Sequence, residues 1–162
     1  MFNPKMCVAA TVLLSAAIAY ASDLPQIKEG LWEIHGQSIE NPGARKTEFT
    51  YKLCRNHAYD EATTALLKNV KGCSTVIKDL KKGTYSSSST CTVAGTTIVS
   101  SGLTTYIGDA ATHSEAHATY TPAFNGKTDE TVTQDQQYVS DCPAGMKPGE
   151  MLDQNGVIRH QG

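Results

Sequence analysis

The sequence predicts a β-rich α+β domain: a curved antiparallel meander sheet of about six strands with one helix, about residues 57–70, packed on one face. Apolar and polar residues alternate along most of the chain, which is the period of a half-buried strand. One segment breaks this rule and has helical spacing instead. The 162 residues include nineteen Thr and twelve Ser but one Trp and three Phe. This composition favours exposed β-surface around a small core, and the length is that of one domain.

The charge balance argues against one class of partner. The chain has 14 basic and 16 acidic residues and a net charge of −2, with no basic block. A nucleic-acid-binding protein needs a stripe of Lys and Arg to neutralise phosphates. We therefore expect no nucleic-acid partner.

The first 21 residues have the pattern of a signal peptide. Residues 1–6 carry one Lys and no acid, residues 7–19 are almost uninterruptedly apolar, and Ala19-Tyr20-Ala21 is a small-x-small cleavage motif. The apolar run is shorter than the ~20 residues of a membrane helix. We expect cleavage after Ala21, export to the periplasm or the extracellular space, and no membrane span in the mature chain. An uncleaved N-terminal anchor is the alternative. Residues 22–152 then form a single disulfide-stapled domain, and residues 153–162 a frayed tail.

The cysteine count supports export. Without the leader, four cysteines remain, and an even number in an oxidising compartment indicates disulfides. They are Cys54, Cys73, Cys91 and Cys142. Free thiols or a metal site are weaker interpretations because no Cys-x-x-Cys motif occurs, and we expect no metal and no other cofactor.

One of the three pairings follows from hairpin geometry. The Lys81-Lys82-Gly83 segment is a turn signal, and a hairpin centred on Lys82 places Cys73 opposite Cys91. Directly opposed residues of antiparallel strands are ~4.5–5.5 Å apart at Cα, within disulfide reach. This pairing leaves Cys54 with Cys142. The competing Cys54–Cys73 bridge would join the two ends of a short helix, and it stays open at this point.

Two strands are predicted before the helix, Leu31–Ile39 and Lys46–Cys54. In the first, Trp32 and Ile34 share a face, so we expect Trp32 to be buried and Glu33 to be exposed. The helix follows. Asn56 suits its N-cap and Lys68 its last turn. Its apolar stripe is Tyr59, Ala62, Leu66 and Val70, with Leu67 beside it.

After Gly72, apolar and polar residues alternate with the period of two that is typical of strands. The hairpin 73–91 is followed by three further predicted strands, Thr97–Ile107, Thr112–Thr121 and Lys127–Cys142. From Pro143 the chain is rich in Gly and Pro, and we expect an ordered loop before the frayed tail.

The strongest candidate for chemistry is the cluster of His113, Glu115 and His117. On a helix, two His at i and i+4 could hold one ion, but on a strand they lie ~13 Å apart. The surrounding alternation predicts a strand, so the pattern favours a solvated face. Cys54 with His57 resembles a thiol–imidazole pair, but the even number of cysteines favours a disulfide. We assign no catalytic and no metal-binding residue.

The chain also resembles a family. The leader, the segment Glu29–Glu33, the four cysteines and the stretch Cys142–Met151 (Cys-Pro-Ala-Gly-Met-Lys-Pro-Gly-Glu-Met) are similar to small exported bacterial proteins grouped as domain of unknown function 3617. The resemblance implies a Gram-negative periplasmic or extracellular location and a β-rich domain. It implies no activity and no catalytic residue.

Two function classes remain. The first is a non-enzymatic binding or interaction module of the cell envelope, because a curved sheet crossed by a helix leaves a concavity for a small apolar ligand or for an envelope protein. The candidate lining residues are Trp32, Tyr51, Tyr106 and Tyr120, although the same aromatic residues suit a filled core. The alternative is a small periplasmic enzyme that uses His113, Glu115 and His117. An open apolar pocket would favour ligand binding, and a filled interior would favour structural or interaction work.

Overall fold

The computed structural model describes residues 24–153 and 155–159, and the predicted signal peptide lies outside them. Nine strands and one helix are formed by these residues. The strands are β1 (Gly30–Asn41), β2 (Arg45–Arg55), β3 (Cys73–Asp79), β4 (Thr84–Val93), β5 (Thr96–Ile107), β6 (Ala111–Phe124), β7 (Lys127–Ser140), β8 (Met151–Leu152) and β9 (Ile158–Arg159). The helix α1 (His57–Lys68) lies between β2 and β3.

All nine strands belong to one sheet in the order β3-β4-β5-β6-β7-β1-β2-β8-β9, and every neighbouring pair is antiparallel. The antiparallel sheet with one helix is therefore confirmed. The strand count of about six is wrong, because the sheet has nine strands. The segments predicted one by one account for seven of them, β1 to β7, and the two short strands β8 and β9 follow Cys142 and extend the sheet beyond β2. A two-residue strand is too short to show a period, so the sequence pattern could not reveal it. Strand β9 lies in the segment for which the sequence predicts a frayed tail.

The apolar core is small and lies around β1 and β2. Its larger cluster contains Ile27, Trp32, Ile34 and Leu53, all buried. Trp32 is fully buried, and its indole Nε1 donates a hydrogen bond to the backbone oxygen of Lys28 at 2.8 Å. The expected burial of Trp32 is confirmed. Glu33 is half-buried rather than exposed, because Lys52 and His35 pair with its carboxylate on the other face of the sheet.

Strands β3, β4, β5 and β6 form a polar arm, by which we mean residues 73–124. The structure describes all of them, and Thr96 and Thr112 are the buried residues among them. Val99, Leu103 and Ile107 share one face, as the sequence predicts, but that face is exposed. The arm is therefore held together by backbone pairing between its strands and by small polar side chains.

Two disulfides are formed, Cys73–Cys91 within the arm and Cys54–Cys142 beside the core. Cys73 lies opposite Cys91 in the β3–β4 register, which is the pairing that a hairpin centred on Lys82 predicts. The second bridge joins residues 88 apart in sequence and holds the C-terminal loop against the end of β2. There, Gly149 N donates to the Cys54 oxygen at 2.8 Å and Cys54 N donates to the Glu150 oxygen at 3.1 Å.

The Pro-Gly loop is also packed against the helix. Gly149 has φ of +89°, and a Cβ at this position would lie 2.9 Å from the Tyr59 ring. Only glycine accommodates both the backbone conformation and the close approach. Met146 is buried beside Leu31 and Cys54 in a second small cluster. The loop thus fixes the start of α1 relative to β2.

Helix α1 begins at the predicted cap. The Asn56 side-chain oxygen accepts a hydrogen bond from the Tyr59 backbone N–H at 2.9 Å. Its predicted apolar stripe is only partly used. Tyr59 packs against the core cluster, but Leu66, Leu67 and Val70 are exposed. None of the twelve α1 residues, all of which are described, is buried. No helix in the described part of the chain is long and apolar enough to span a membrane.

Candidate functional site

An open cavity of about 270 Å3 lies between α1 and the face of the sheet that carries the core. Three parts of the chain enclose it: the sheet forms the floor, α1 forms one wall, and residues 24–27 form another. The sheet contributes Ile34, Tyr51, Leu53, Arg55, Tyr106, Gln134 and Gln136. The helix contributes His57, Tyr59, Asp60, Glu61, Thr63, Thr64 and Leu67.

Apolar and aromatic side chains make up much of this lining. Ile34 and Leu53 are buried in the floor, and the half-buried rings of Tyr51 and Tyr106 pack against the same core cluster. Leu67 lies on the opposite side and is 55% exposed. Apolar surface that is not covered by protein atoms is a typical feature of a small-molecule site.

Arg55 is a positively charged residue of the cavity lining, which also contains the acidic residues Asp60 and Glu61. Its Nε donates to Asp60 at 2.9 Å and its Nη1 donates to Gln136 at 2.6 Å. Its guanidinium carbon lies 5.4 Å from the centre of the Trp32 ring, in the range of a cation–π contact. Because three partners from β1, β7 and α1 hold it, Arg55 has a fixed position in the lining.

The N-terminal wall is held by the start of α1. The His57 ring nitrogen Nε2 lies 2.9 Å from the Ile27 backbone oxygen, and the His57 backbone N–H donates to Glu29 at 3.0 Å. Burial of the Ile27 side chain anchors the same segment. Residues 24–27 are therefore a built part of the site.

The structure separates the four aromatic residues that the sequence proposes as ligand lining. Tyr51 and Tyr106 line the cavity. Trp32 is fully buried in the core cluster beside it and contacts Arg55. Tyr120 lies elsewhere: its hydroxyl donates to Glu130 at 2.9 Å, and its ring stacks on Phe124.

The sequence analysis did not identify Arg55, Gln136 and the segment 24–27. Arg55 follows directly after Cys54 and precedes a helix cap, a position that gives no signal of its own. Gln136 is one of many polar residues in β7. Their convergence depends on the pairing of β7 with β1, where Gln136 lies opposite Ile34.

The histidine cluster lies on the other face of the sheet. His113, Glu115 and His117 are in β6, as the alternation predicts, and His113 Nδ1 lies 2.7 Å from Asp135. Hydrogen bonds to Asp135 and then to Glu115 raise the pKa of His113 above its ordinary value. No group of three or more His, Cys, Asp or Glu among the described residues has the geometry of a metal site.

Two comparisons with known proteins bear on this chain. A family model described as "Protein of unknown function (DUF3617)" matches residues 27–142. The matched segment contains strands β1 to β7, helix α1 and all four disulfide cysteines. A search of curated proteins gives no significant match.

Proposed function

The chain belongs to the family of proteins of unknown function DUF3617, and we propose that it is a non-enzymatic binding module whose cavity beneath α1 takes a small, largely apolar ligand. The observation that carries the proposal is the open cavity between α1 and the sheet, with Tyr51, Tyr106 and Leu67 in its lining. Among the described residues, none fills the cavity that their side chains line, and a ligand that covers their apolar surface would gain binding free energy.

The position of the histidines supports a binding role over an enzymatic one. His113 and His117 lie on the solvent-facing side of β6, where their nearest acidic partners are Asp135 and Asp129. The cavity lies on the opposite face. A ligand held by Tyr51 and Tyr106 would therefore not meet this cluster.

Binding can be tested with N-phenyl-1-naphthylamine, an uncharged probe that fluoresces when it enters an apolar site. We expect a saturable increase in emission with one probe per chain. Thr64→Trp places a large ring in the cavity and should weaken binding at least tenfold. Ala65→Trp, on the neighbouring exposed helix position that does not line the cavity, is the matched control and should bind as the unmodified protein does.

His117→Ala distinguishes the two function classes. A binding module should keep its fold and its probe affinity after this substitution. Equal effects of the two tryptophan substitutions, or an absence of saturable binding, would contradict the proposed site.

We propose export as the setting of this activity. The N-terminal pattern of residues 1–21 and two disulfides support it, since disulfides persist in oxidising compartments. N-terminal sequencing of the protein recovered from the periplasm or medium should begin at Ser22. A chain that retains Met1 and sediments with membranes would indicate the uncleaved anchor instead.

A further inference from the structure

Three hydrogen-bond donors of the cavity are uncommitted. The hydroxyls of Tyr51 and Tyr106 make no hydrogen bond to any described residue, and both remain accessible to solvent. Arg55 uses Nε for Asp60 and Nη1 for Gln136, so its Nη2 has no partner among the described residues. A ligand that enters the cavity meets donors that no described residue satisfies.

The two phenols keep their protons and can donate. Burial raises the pKa of Tyr51 and of Tyr106 above the ordinary value, although the charge of Arg55 partly opposes both shifts. A protonated phenol can donate to an oxygen or a nitrogen of the ligand. Arg55 lines the same cavity as both tyrosines.

The charge of Arg55 is already balanced. Asp60 lies 2.9 Å from its Nε, and the side chains of this pair are only 18% and 23% exposed. A carboxylate ligand would approach Arg55 in the field of Asp60, and would lose its own hydration to do so. An uncharged acceptor can use the same donors without that cost.

We propose that the ligand of this cavity is an uncharged, mainly apolar molecule that carries a hydrogen-bond acceptor of the carbonyl type. Its apolar body contacts Ile34, Leu53 and Leu67, and its acceptor meets Tyr51, Tyr106 and Arg55. This inference rests on the proposed function, since it names the chemistry of the ligand for the same site.

Three naphthalene probes of similar shape test it by calorimetric titration: 2-acetylnaphthalene, 2-ethylnaphthalene and 2-naphthoate. The ketone has an acceptor, the ethyl compound has none, and the naphthoate carries a charge. We expect the ketone to bind about tenfold more tightly than the ethyl compound, as one or two hydrogen bonds would give. The naphthoate should bind more weakly than the ketone.

Two variants assign these differences to residues. The double substitution Tyr51→Phe with Tyr106→Phe removes only the hydroxyls, so the advantage of the ketone should fall severalfold while the ethyl compound binds as before. Asp60→Asn removes the balancing charge and keeps an oxygen for Arg55, so naphthoate affinity should rise about tenfold. Asp135→Asn, which affects the ion pair on the opposite face, is the control and should change none of the three affinities.

The outcomes separate this inference from the proposed function. If ketone and ethyl compound bind equally, or naphthoate binds most tightly to the unmodified protein, the inferred ligand chemistry is wrong. The cavity still stands as a binding site in that case, provided that Thr64→Trp weakens all binding. If none of the three probes binds, the proposed function fails and this inference fails with it.

Discussion

The core region around β1 and β2 and the arm formed by β3 to β6 belong to one sheet but are stabilised differently. In the core region, Trp32, Ile34 and Leu53 are buried together with Ile27, and Tyr59 of α1 and Met151 of β8 pack against them. In the arm, Thr96 and Thr112 are the buried residues, and large apolar side chains such as Val99 and Leu103 are exposed. The same sheet is thus held by packing at one end and by backbone pairing at the other.

The arm compensates for its lack of burial with cross-strand contacts. Hydroxyl pairs link neighbouring strands, among them Thr75 with Ser89 at 3.2 Å and Thr104 with Ser114 at 3.2 Å. The Cys73–Cys91 disulfide closes its outer hairpin. Such pairs contribute little individually, so the arm relies on register and on its covalent bridge. The cavity lies between the two regions, with Tyr51 from β2 and Tyr106 from β5.

Removing a disulfide should cause the largest loss of stability in either region. Replacing Cys54 and Cys142 by Ser opens a loop of 88 residues and removes a buried sulfur from the core. The chain-entropy estimate is about 4.5 kcal/mol for this bridge. Replacing Cys73 and Cys91 by Ser opens a loop of 18 residues, and about 3 kcal/mol is expected.

Urea unfolding followed by Trp32 fluorescence measures both losses. The reduced unmodified protein serves as the reference in which both bridges are open. If the arm variant lost as much stability as the core variant or more, the assignment of the stabilising contacts to the core would be wrong.

Truncation of apolar side chains should have the next largest effect on stability, and this effect should differ strongly between the regions. Ile34→Ala removes a side chain that is 1% exposed, and about 2–5 kcal/mol of unfolding free energy should be lost. Val99→Ala, in the arm, removes a side chain that is 49% exposed, and a change within about 0.5 kcal/mol is expected. Thermal unfolding by circular dichroism should separate the two variants clearly. Similar losses in both would mean that the arm buries Val99 in solution.

The extent to which the sequence predicted the structure also differs between the regions. In the arm, the strand register follows from residues that are close in sequence. A turn at Lys82 places Cys73 opposite Cys91, and the alternation of apolar and polar residues determines which side chains share a face of the sheet. In the core region, the decisive contacts are between distant segments. The pairing of β7 with β1 brings Gln136 to Ile34, and no periodicity within either strand indicates it.

In the candidate site, too, some residues could be predicted from the sequence and others could not. The sequence analysis names Tyr51, Tyr106 and Tyr120 together as candidate lining residues. Tyr51 and Tyr106 line the cavity, but Tyr120 lies away from it beside Phe124 and Glu130. Helical spacing predicts the stripe that includes Leu66 and Val70, but it does not say what covers the stripe, and both side chains are exposed.

The cap of α1 should have a smaller effect that extends to the cavity. Asn56→Ala leaves the Tyr59 backbone N–H without its acceptor and should cost about 1 kcal/mol. Because α1 forms a wall of the cavity, the affinity for N-phenyl-1-naphthylamine should fall as well. Asn56→Ser keeps an N-cap oxygen and should restore both values. A loss of stability without any loss of probe affinity would show that the first turn of α1 does not shape the cavity.

The smallest expected effect is a pH dependence on the outer face of the sheet. Hydrogen bonds to Asp135 and then to Glu115 raise the pKa of His113, so the folded state favours the protonated imidazole. The contribution of His113 to stability is fully present below the pKa of the unfolded state, near ~6.5. It is lost as the pH rises through the higher pKa of the folded state. Since the His113 side chain is 39% exposed, solvent screens these pairs, and the contribution should stay within ~0.2–1 kcal/mol. In an NMR titration that follows the His113 ring proton, Asp135→Asn should lower the midpoint of the His113 titration. Glu48→Gln, on strand β2, should leave this midpoint unchanged. An unchanged midpoint in Asp135→Asn would show that solvent has replaced the 2.7 Å contact between His113 and Asp135.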